Sequence, residues 1–124
     1  MTTQQIPPPG PDRDHALAEA LGGTYLPETS RVCILQPEGG FVIFSKPSTD
    51  DHSALNLVLW LSTREPEKTR WGFRITLPPI GKVHAEVWLP GSVLGNHEGR
   101  DGSSVAPSLA DAVTEAMLRA LETK

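Results

Sequence analysis

Cysteine is almost absent from this 124-residue chain, which contains one, Cys33. A single cysteine cannot form an intramolecular disulfide, so the fold must be stabilised by its core. Cys33 lies between Val32 and Ile34, and this apolar setting predicts a small buried side chain. A chain of this length is expected to form one domain that buries about two-thirds of its extended surface without cross-links.

Aromatic residues and positive charge are also scarce. Aromatic residues make up 6% of the chain, so aliphatic side chains must fill most of the core. The 11 basic and 15 acidic residues give a net charge of −4. Sequence-independent binding of nucleic acid requires basic residues that release counterions, so nucleic acid is not an expected partner.

Long apolar runs are missing as well. No segment approaches the roughly 20 apolar residues that a membrane span requires, so no membrane association is expected. The first residues contain neither a cationic start nor an apolar run, which is unlike a signal peptide. We therefore predict a cytoplasmic protein. Residues 1–11 hold four of the twelve prolines and are predicted to form a disordered arm before a single domain over 12–124.

Two segments have helical patterns. Residues 12–21 place Ala16, Leu17 and Leu21 on one stripe, and the two glycines that follow predict the helix end. Near the end of the chain, Ser108 precedes a long apolar stripe and predicts a capped helix.

Strands are predicted in two pairs. Val32–Leu35 and Phe41–Phe44 are apolar on both faces, which is typical of a sheet covered on both sides. Residues 71–77 and 83–89 alternate between apolar and polar side chains, which predicts a hairpin with one buried face. The Gly- and Ser-rich residues 90–107 are predicted to form a long loop.

Residues 54–62 fit two structures. Leucine at every second position favours a strand, whereas the abundance of Leu and Ala favours a helix. The spacing of Ser48 and Asp51 is that of a capping box, and it tips the prediction towards a helix. A strand here would instead give a five-stranded sheet flanked by two helices.

These elements together predict an α+β domain. One antiparallel sheet of about four strands would have helices on both faces, as a three-layer α/β/α sandwich in the order α-ββ-α-ββ-α.

The order of these elements resembles the phage ABA sandwich family over roughly residues 12–122. Ser48-Thr49-Asp50 opens an Ala-, Leu- and Trp-rich element, two short strands follow, and an Ala-rich helix ends the chain. The predicted hairpin at residues 31–45 departs from the family pattern. The resemblance implies a small α/β/α protein of phage or prophage origin, and it implies no biochemical activity or cofactor.

A metal site is the first chemical hypothesis that the sequence raises. His84 and Glu86 lie two positions apart on one strand and would share a face, a spacing that metal sites use. Three or four converging ligands are usual for zinc, however, and the alternative interpretation is a pair of exposed polar residues. We predict neither a metal nor a cofactor.

A binding surface is the second hypothesis. Trp88 falls on the more polar side of its strand, and with Arg74 and Trp60 it could form an aromatic and cationic surface. If a helix covers that side, Trp88 belongs to the core instead.

The function predicted from these features is a non-catalytic, phage- or prophage-type accessory protein that binds a protein partner in regulation or in countering host defence. One alternative is a small acidic dimeric domain with a chaperone-like role, which would make the chain a homodimer. The other is a metal-dependent hydrolase that uses His84 and Glu86.

Overall fold

The computed structural model describes residues 6–36, 39–63, 70–77, 81–89 and 101–122. Within these ranges the chain forms three α-helices and six β-strands. In chain order they are α1 (Pro11–Ala20), β1 (Thr24–Leu26), β2 (Arg31–Leu35), β3 (Phe41–Ser45), α2 (Asp51–Thr63), β4 (Gly72–Thr76), β5 (Val83–Trp88), β6 (Asp101–Ala106) and α3 (Leu109–Glu122). The mixed α+β class predicted from the sequence is confirmed.

The strands form two antiparallel sheets of three strands each, in the orders β1-β2-β3 and β4-β5-β6. Both predicted hairpins are confirmed, with Leu35 opposite Phe41 in the first sheet and Phe73 opposite Val87 in the second. The sequence predicted one sheet of about four strands and included neither β1 nor β6. Because the strands form two separate sheets, the predicted three-layer arrangement is not confirmed.

β6 occupies part of the segment that was predicted to be a loop. It pairs with β5 so that Gly102 lies opposite Val87 and Ser104 lies opposite Ala85. This strand is poor in β-branched and aromatic residues, which is why its composition did not indicate a strand. Its small residues instead allow α3 to approach closely, because a Cβ atom at Gly102 would collide with backbone atoms of Ala116 and Ala120.

Residues 54–62 are helical, as predicted, but a different residue caps the helix. Asp50 Oδ1 accepts a hydrogen bond from the backbone N–H of His52 at 3.0 Å, and Asp50 Oδ2 accepts one from Ser53 Oγ at 3.2 Å. Ser48, the predicted cap, is fully buried and bonds the backbone of Gly10 instead. The predicted cap of α3 is confirmed, since Ser108 Oγ accepts the N–H of Asp111 at 3.2 Å.

The core lies between the helices and one face of each sheet. α3 packs on β5 and β6 and against α2, while α1 contacts β1 and β2. Leu17, Leu57, Leu61, Val87 and Met117 are fully buried there. Within the described ranges no helix is both long and apolar enough to cross a membrane.

Polar groups on α1 are buried among these elements. Arg13 Nη1 donates to Asp111 Oδ1 at 2.7 Å, and Arg13 Nε donates to the carbonyl of Pro7 at 2.7 Å. Asp14 accepts hydrogen bonds from Ser30 Oγ at 2.8 Å and from the backbone N–H of Ser48 at 2.9 Å. These bonds hold α1 to both the first sheet and the start of α3.

The first turn of α3 receives a second long-range contact. Asp51 Oδ1, at the start of α2, accepts the backbone N–H of Ala110 at 2.9 Å. A helix N-terminus has unsatisfied N–H groups and a partial positive charge, so a carboxylate stabilises it. Residues that are distant in the chain therefore complete the start of α3.

Glu115 connects α3 to β6. Its Oε1 accepts a hydrogen bond from Ser104 Oγ at 2.8 Å, and its Oε2 lies 2.7 Å from Arg119 Nη2. Burial raises the pKa of Glu115, but the hydrogen bonds from Arg119 and Ser104 and the positive charges of Arg119 and Arg13 outweigh it. The net effect lowers the pKa of Glu115 below its ordinary value of 4.5.

Glu115→Gln is expected to lower the free energy of unfolding by about 0.5 kcal/mol at pH 7, because glutamine keeps an acceptor for Ser104 but loses the charge. Since the pKa is lower in the folded than in the unfolded protein, the carboxylate stabilises the fold above its unfolded pKa. This contribution disappears as the pH falls through the folded pKa. Urea unfolding from pH 7 to pH 3 should therefore show the two proteins converging in acid. Glu28→Gln, at an exposed glutamate in the turn before β2, serves as the control, and a constant difference between wild type and E115Q at all pH values would contradict the assignment.

Candidate protein-binding surfaces

The outer face of the first sheet exposes a group of large apolar side chains. Leu35 is 77% exposed, Phe41 56%, Ile43 43% and Leu26 36%. Together with Cys33, which is half-buried between them, these residues are called the apolar sheet face. The prediction that this sheet is covered on both sides is wrong, and so is the prediction that Cys33 is buried.

Strand alternation and register place these residues together. In the register of the sheet, Leu35 lies opposite Phe41 and Cys33 lies opposite Ile43. Val32, Ile34 and Phe44 alternate with these residues along the strands, point the other way and are buried in the core. Because successive side chains of a strand point to opposite faces, the same two strands supply both the core and the apolar sheet face.

Charge is sparse on this face. Arg31 is the charged residue of the three strands β1 to β3, and it lies at the end of β2 opposite Leu26 and Ser45. Exposed Lys46 follows β3 at the same end of the sheet, and exposed Glu28 lies in the turn before β2. Exposed Asp50 is also at this end, because its backbone N–H donates to the carbonyl of Lys46 at 2.8 Å, so the two basic and two acidic residues carry no net charge.

The second sheet places two predicted site residues together on its outer face. The guanidinium carbon of Arg74 lies 5.9 Å from the ring centroid of Trp88, within the range of a cation–π contact. Arg74 Nη1 also lies 3.4 Å from Glu86 Oε1. Gly72 lies directly opposite Trp88 in the register, and a Cβ atom there would lie 3.4 Å from the indole ring, an ordinary van der Waals contact.

Trp88 is only partly buried, because α3 packs on the opposite face of the second sheet. Its Nε1 atom is nevertheless inaccessible to solvent. Among the residues that the structure describes, it is the one buried side-chain nitrogen or oxygen without a hydrogen-bond partner. Arg74, Glu86 and Trp88 are called the Arg74–Trp88 surface below.

Trp60, the third residue of the predicted binding surface, lies in a different contact. Its ring centroid is 5.9 Å from that of Phe44, with a tilt of 52° between the planes. The aromatic pair joins α2 to β3 in the first sheet. The structure therefore brings Arg74 and Trp88 together and places Trp60 in the packing of the first sheet.

The weak metal candidates His84 and Glu86 share the outer face of β5, as their spacing predicts. Glu86, however, faces Arg74, whose positive charge would oppose a cation at this carboxylate. In the described part of the chain, no three His, Cys, Asp or Glu side chains lie close enough to hold a metal ion.

The sequence carried one signal for the apolar sheet face, namely that β2 and β3 are apolar at nearly every position. The same pattern predicts coverage on both sides, so it could not show that one side is exposed.

No protein-family model matches this chain, and the comparisons with curated proteins and with solved structures found no match either. The resemblance to the phage ABA sandwich family stays a prediction. Function has to be inferred from the chemistry of the two surfaces, since a fold alone does not imply one.

Proposed function

We propose that this protein is a non-catalytic accessory protein, of the phage or prophage type, that acts by binding another polypeptide through its apolar sheet face. The observation that carries the proposal is the exposure of Leu26, Leu35, Phe41 and Ile43 on one side of one sheet. Their combined exposed area is on the order of 400 Å², which is the size of the largest apolar patch on a typical monomer and is often functional.

The composition of this face favours binding over catalysis. Apart from Arg31, Cys33 and Ser45, the side chains of β2 and β3 that point outwards have no group that could act as an acid, a base or a nucleophile. Exposed aromatic side chains such as Phe41 are instead enriched in the core of protein interfaces, where the apolar contacts around them exclude water.

The Arg74–Trp88 surface is the second candidate for the same function. An aromatic ring with a guanidinium above it combines two residue types that dominate binding energies at interfaces. Its apolar area is smaller, and Glu86 already neutralises part of the charge of Arg74. It is therefore ranked below the apolar sheet face.

Variants can separate the two surfaces. Leu35→Thr with Phe41→Thr removes the most exposed part of the apolar sheet face and keeps residues that suit a strand. Arg74→Gln alters the second surface, and Leu55→Gln with Leu59→Gln is a matched control that removes two exposed leucines from α2 without lowering helix propensity. Circular dichroism and urea unfolding would establish that all variants fold like the wild type.

Each protein would be immobilised and exposed to a host-cell lysate, and the bound polypeptides would be quantified by mass spectrometry. We expect the L35T/F41T variant to lose at least about tenfold of each specific partner, because two central anchors contribute roughly 1–2 kcal/mol each. R74Q and the α2 control should retain binding. An identical set of bound polypeptides for all four proteins would contradict the proposal, and a loss confined to R74Q would transfer it to the second surface.

A further inference from the structure

We propose that residues 6–10 form a latch, which closes over two buried side chains of the domain and opens locally while the rest of the domain stays folded. This inference goes beyond the proposed function, because neither candidate binding surface takes part in it. It follows from the chemistry of a proline-rich segment and from the groups that hold this segment in place.

The latch can offer few hydrogen-bond donors to the domain. Residues 7–9 and 11 are prolines, so Gly10 carries the only backbone N–H between Ile6 and Asp12. Such a segment cannot join a sheet through a row of N–H groups, and it has to be held mainly through its carbonyl oxygens. The rest of the fold must therefore supply the donors.

Two buried side chains supply them. Arg13 is 4% exposed, and its Nε donates to the carbonyl of Pro7 at 2.7 Å. Ser48 is fully buried, and its Oγ donates to the carbonyl of Gly10 at 3.1 Å and accepts the Gly10 N–H at 2.9 Å. An open latch would remove these partners from a buried cation and a buried hydroxyl, so the closed form is favoured.

The latch nevertheless buries little apolar surface. Ile6 is half-buried against the core, whereas Pro8 and Pro9 are exposed. Opening the latch would uncover mainly Ile6, while global unfolding exposes the whole core. Regions with few buried apolar contacts open at a lower free energy than the core does, so we expect the latch to open as a separate unit.

Gly10 makes the turn from the latch into α1. Its φ of 144° and ψ of −166° lie in a region that is open essentially to glycine alone. A Cβ atom there would meet no atom of a non-neighbouring residue within 4 Å, so Gly10→Ala strains the closed backbone without causing a collision. Because the open latch can relax to another conformation, this substitution should shift the equilibrium towards the open form.

Hydrogen exchange of the Gly10 N–H, followed by NMR on the full chain in urea below the unfolding transition, tests the proposal. The N–H of Met117, a fully buried residue of α3, reports global unfolding. After correction for intrinsic rates, we expect Gly10 to be protected at least about tenfold and yet to exchange at least about 100-fold faster than Met117. Its exchange should respond to urea with less than about a fifth of the global slope, because local opening exposes little surface.

Two outcomes of the urea series would overturn the latch. If Gly10 and Met117 exchange at the same rate and with the same dependence on urea, the segment opens only when the whole domain unfolds. If Gly10 exchanges at its intrinsic rate, the segment does not close. Both outcomes are measured on the wild-type chain, so the proposal can be decided even if a variant does not fold.

Gly10→Ala and Gly81→Ala compare the same kind of strain at two places. Gly81 precedes β5 with a φ of 109°, and a Cβ atom there would also meet nothing within 4 Å. We expect the N–H of residue 10 to exchange about tenfold faster in G10A than in the wild type, and within about twofold of the wild-type rate in G81A. A wild-type rate in G10A, or equal acceleration in both variants, would contradict the local opening.

Discussion

Replacing Gly102 by alanine is expected to lower the free energy of unfolding by about 2–4 kcal/mol, an unusually large effect for one added methyl group. Gly102 lies in β6 directly beneath α3. A Cβ atom there would lie 2.5 Å from the backbone nitrogen of Ala120 and would also collide with the carbonyl oxygen of Ala116. Both are backbone atoms of a helix, so no side-chain rotation can relieve the contact, and α3 must move away from the sheet.

Gly72→Ala is the matched control, because it places the same methyl group in another strand of the same sheet. Its Cβ atom would approach Trp88 no closer than 3.4 Å, which is an ordinary van der Waals contact. We expect a change of less than about 1 kcal/mol for this variant. Urea unfolding followed by circular dichroism would measure both. Equal destabilisation of the two variants would mean that the close packing of α3 on β6 is not the cause.

Asp14→Ala is expected to destabilise the protein by about 3 kcal/mol. The Asp14 carboxylate is 1% exposed and accepts the backbone N–H of Ser48 and the hydroxyl of Ser30. Alanine leaves the Ser48 N–H buried without an acceptor. It also releases Ser30, whose φ of 52° is a conformation that residues other than glycine rarely adopt without support.

Asp14→Asn separates the hydrogen bonds from the charge. The amide oxygen can still accept from Ser48, and Ser30 Oγ can accept from the amide while its own hydrogen turns to Tyr25 Oη, 3.1 Å away. We therefore expect D14N to lose about 1 kcal/mol, well below the loss in D14A. If the two variants are equally destabilised in thermal and urea unfolding, the negative charge rather than the hydrogen bonds holds this region together.

Local patterns predicted the helices and hairpins because the spacing of apolar residues within each segment sets which of its sides is buried. The stripe that begins at Leu109 fixes the buried side of α3, and the alternation in residues 72–76 and 83–88 fixes the β4–β5 hairpin. Helix was also the better prediction for residues 54–62, although the capping residue is Asp50 rather than Ser48. Several polar residues precede α2, and tertiary contacts with Gly10 and Asp14 decide which of them is buried.

The missing strands were not predictable from composition. β6 contains Gly102, Ser103 and Ser104, and its strand conformation depends on pairing with β5 and on contact with α3. β1 has only three residues, too few to show an alternating pattern. Tertiary context overrides propensity at both places.

The two candidate binding surfaces also differ in how much of them the sequence predicted. Alternation along two paired strands brought Arg74 and Trp88 to one face, so their proximity was predictable. The position of Trp60 against Phe44 depends on how α2 docks on the first sheet, which no local pattern contains. The exposure of Leu35 and Phe41 was not predictable either. A strand that is apolar throughout has the same composition whether or not a helix covers it.

The contacts made by the first turn of α3 have a consequence for how the chain folds. Asp51 accepts an N–H of its first turn, and Arg13 bonds Asp111 in that turn. The last helix thus lacks two of its stabilising partners until the first sixty residues have adopted their native arrangement. Each half of the chain has its own sheet, but one buried core contains residues of both halves, so heat should melt them in one cooperative transition.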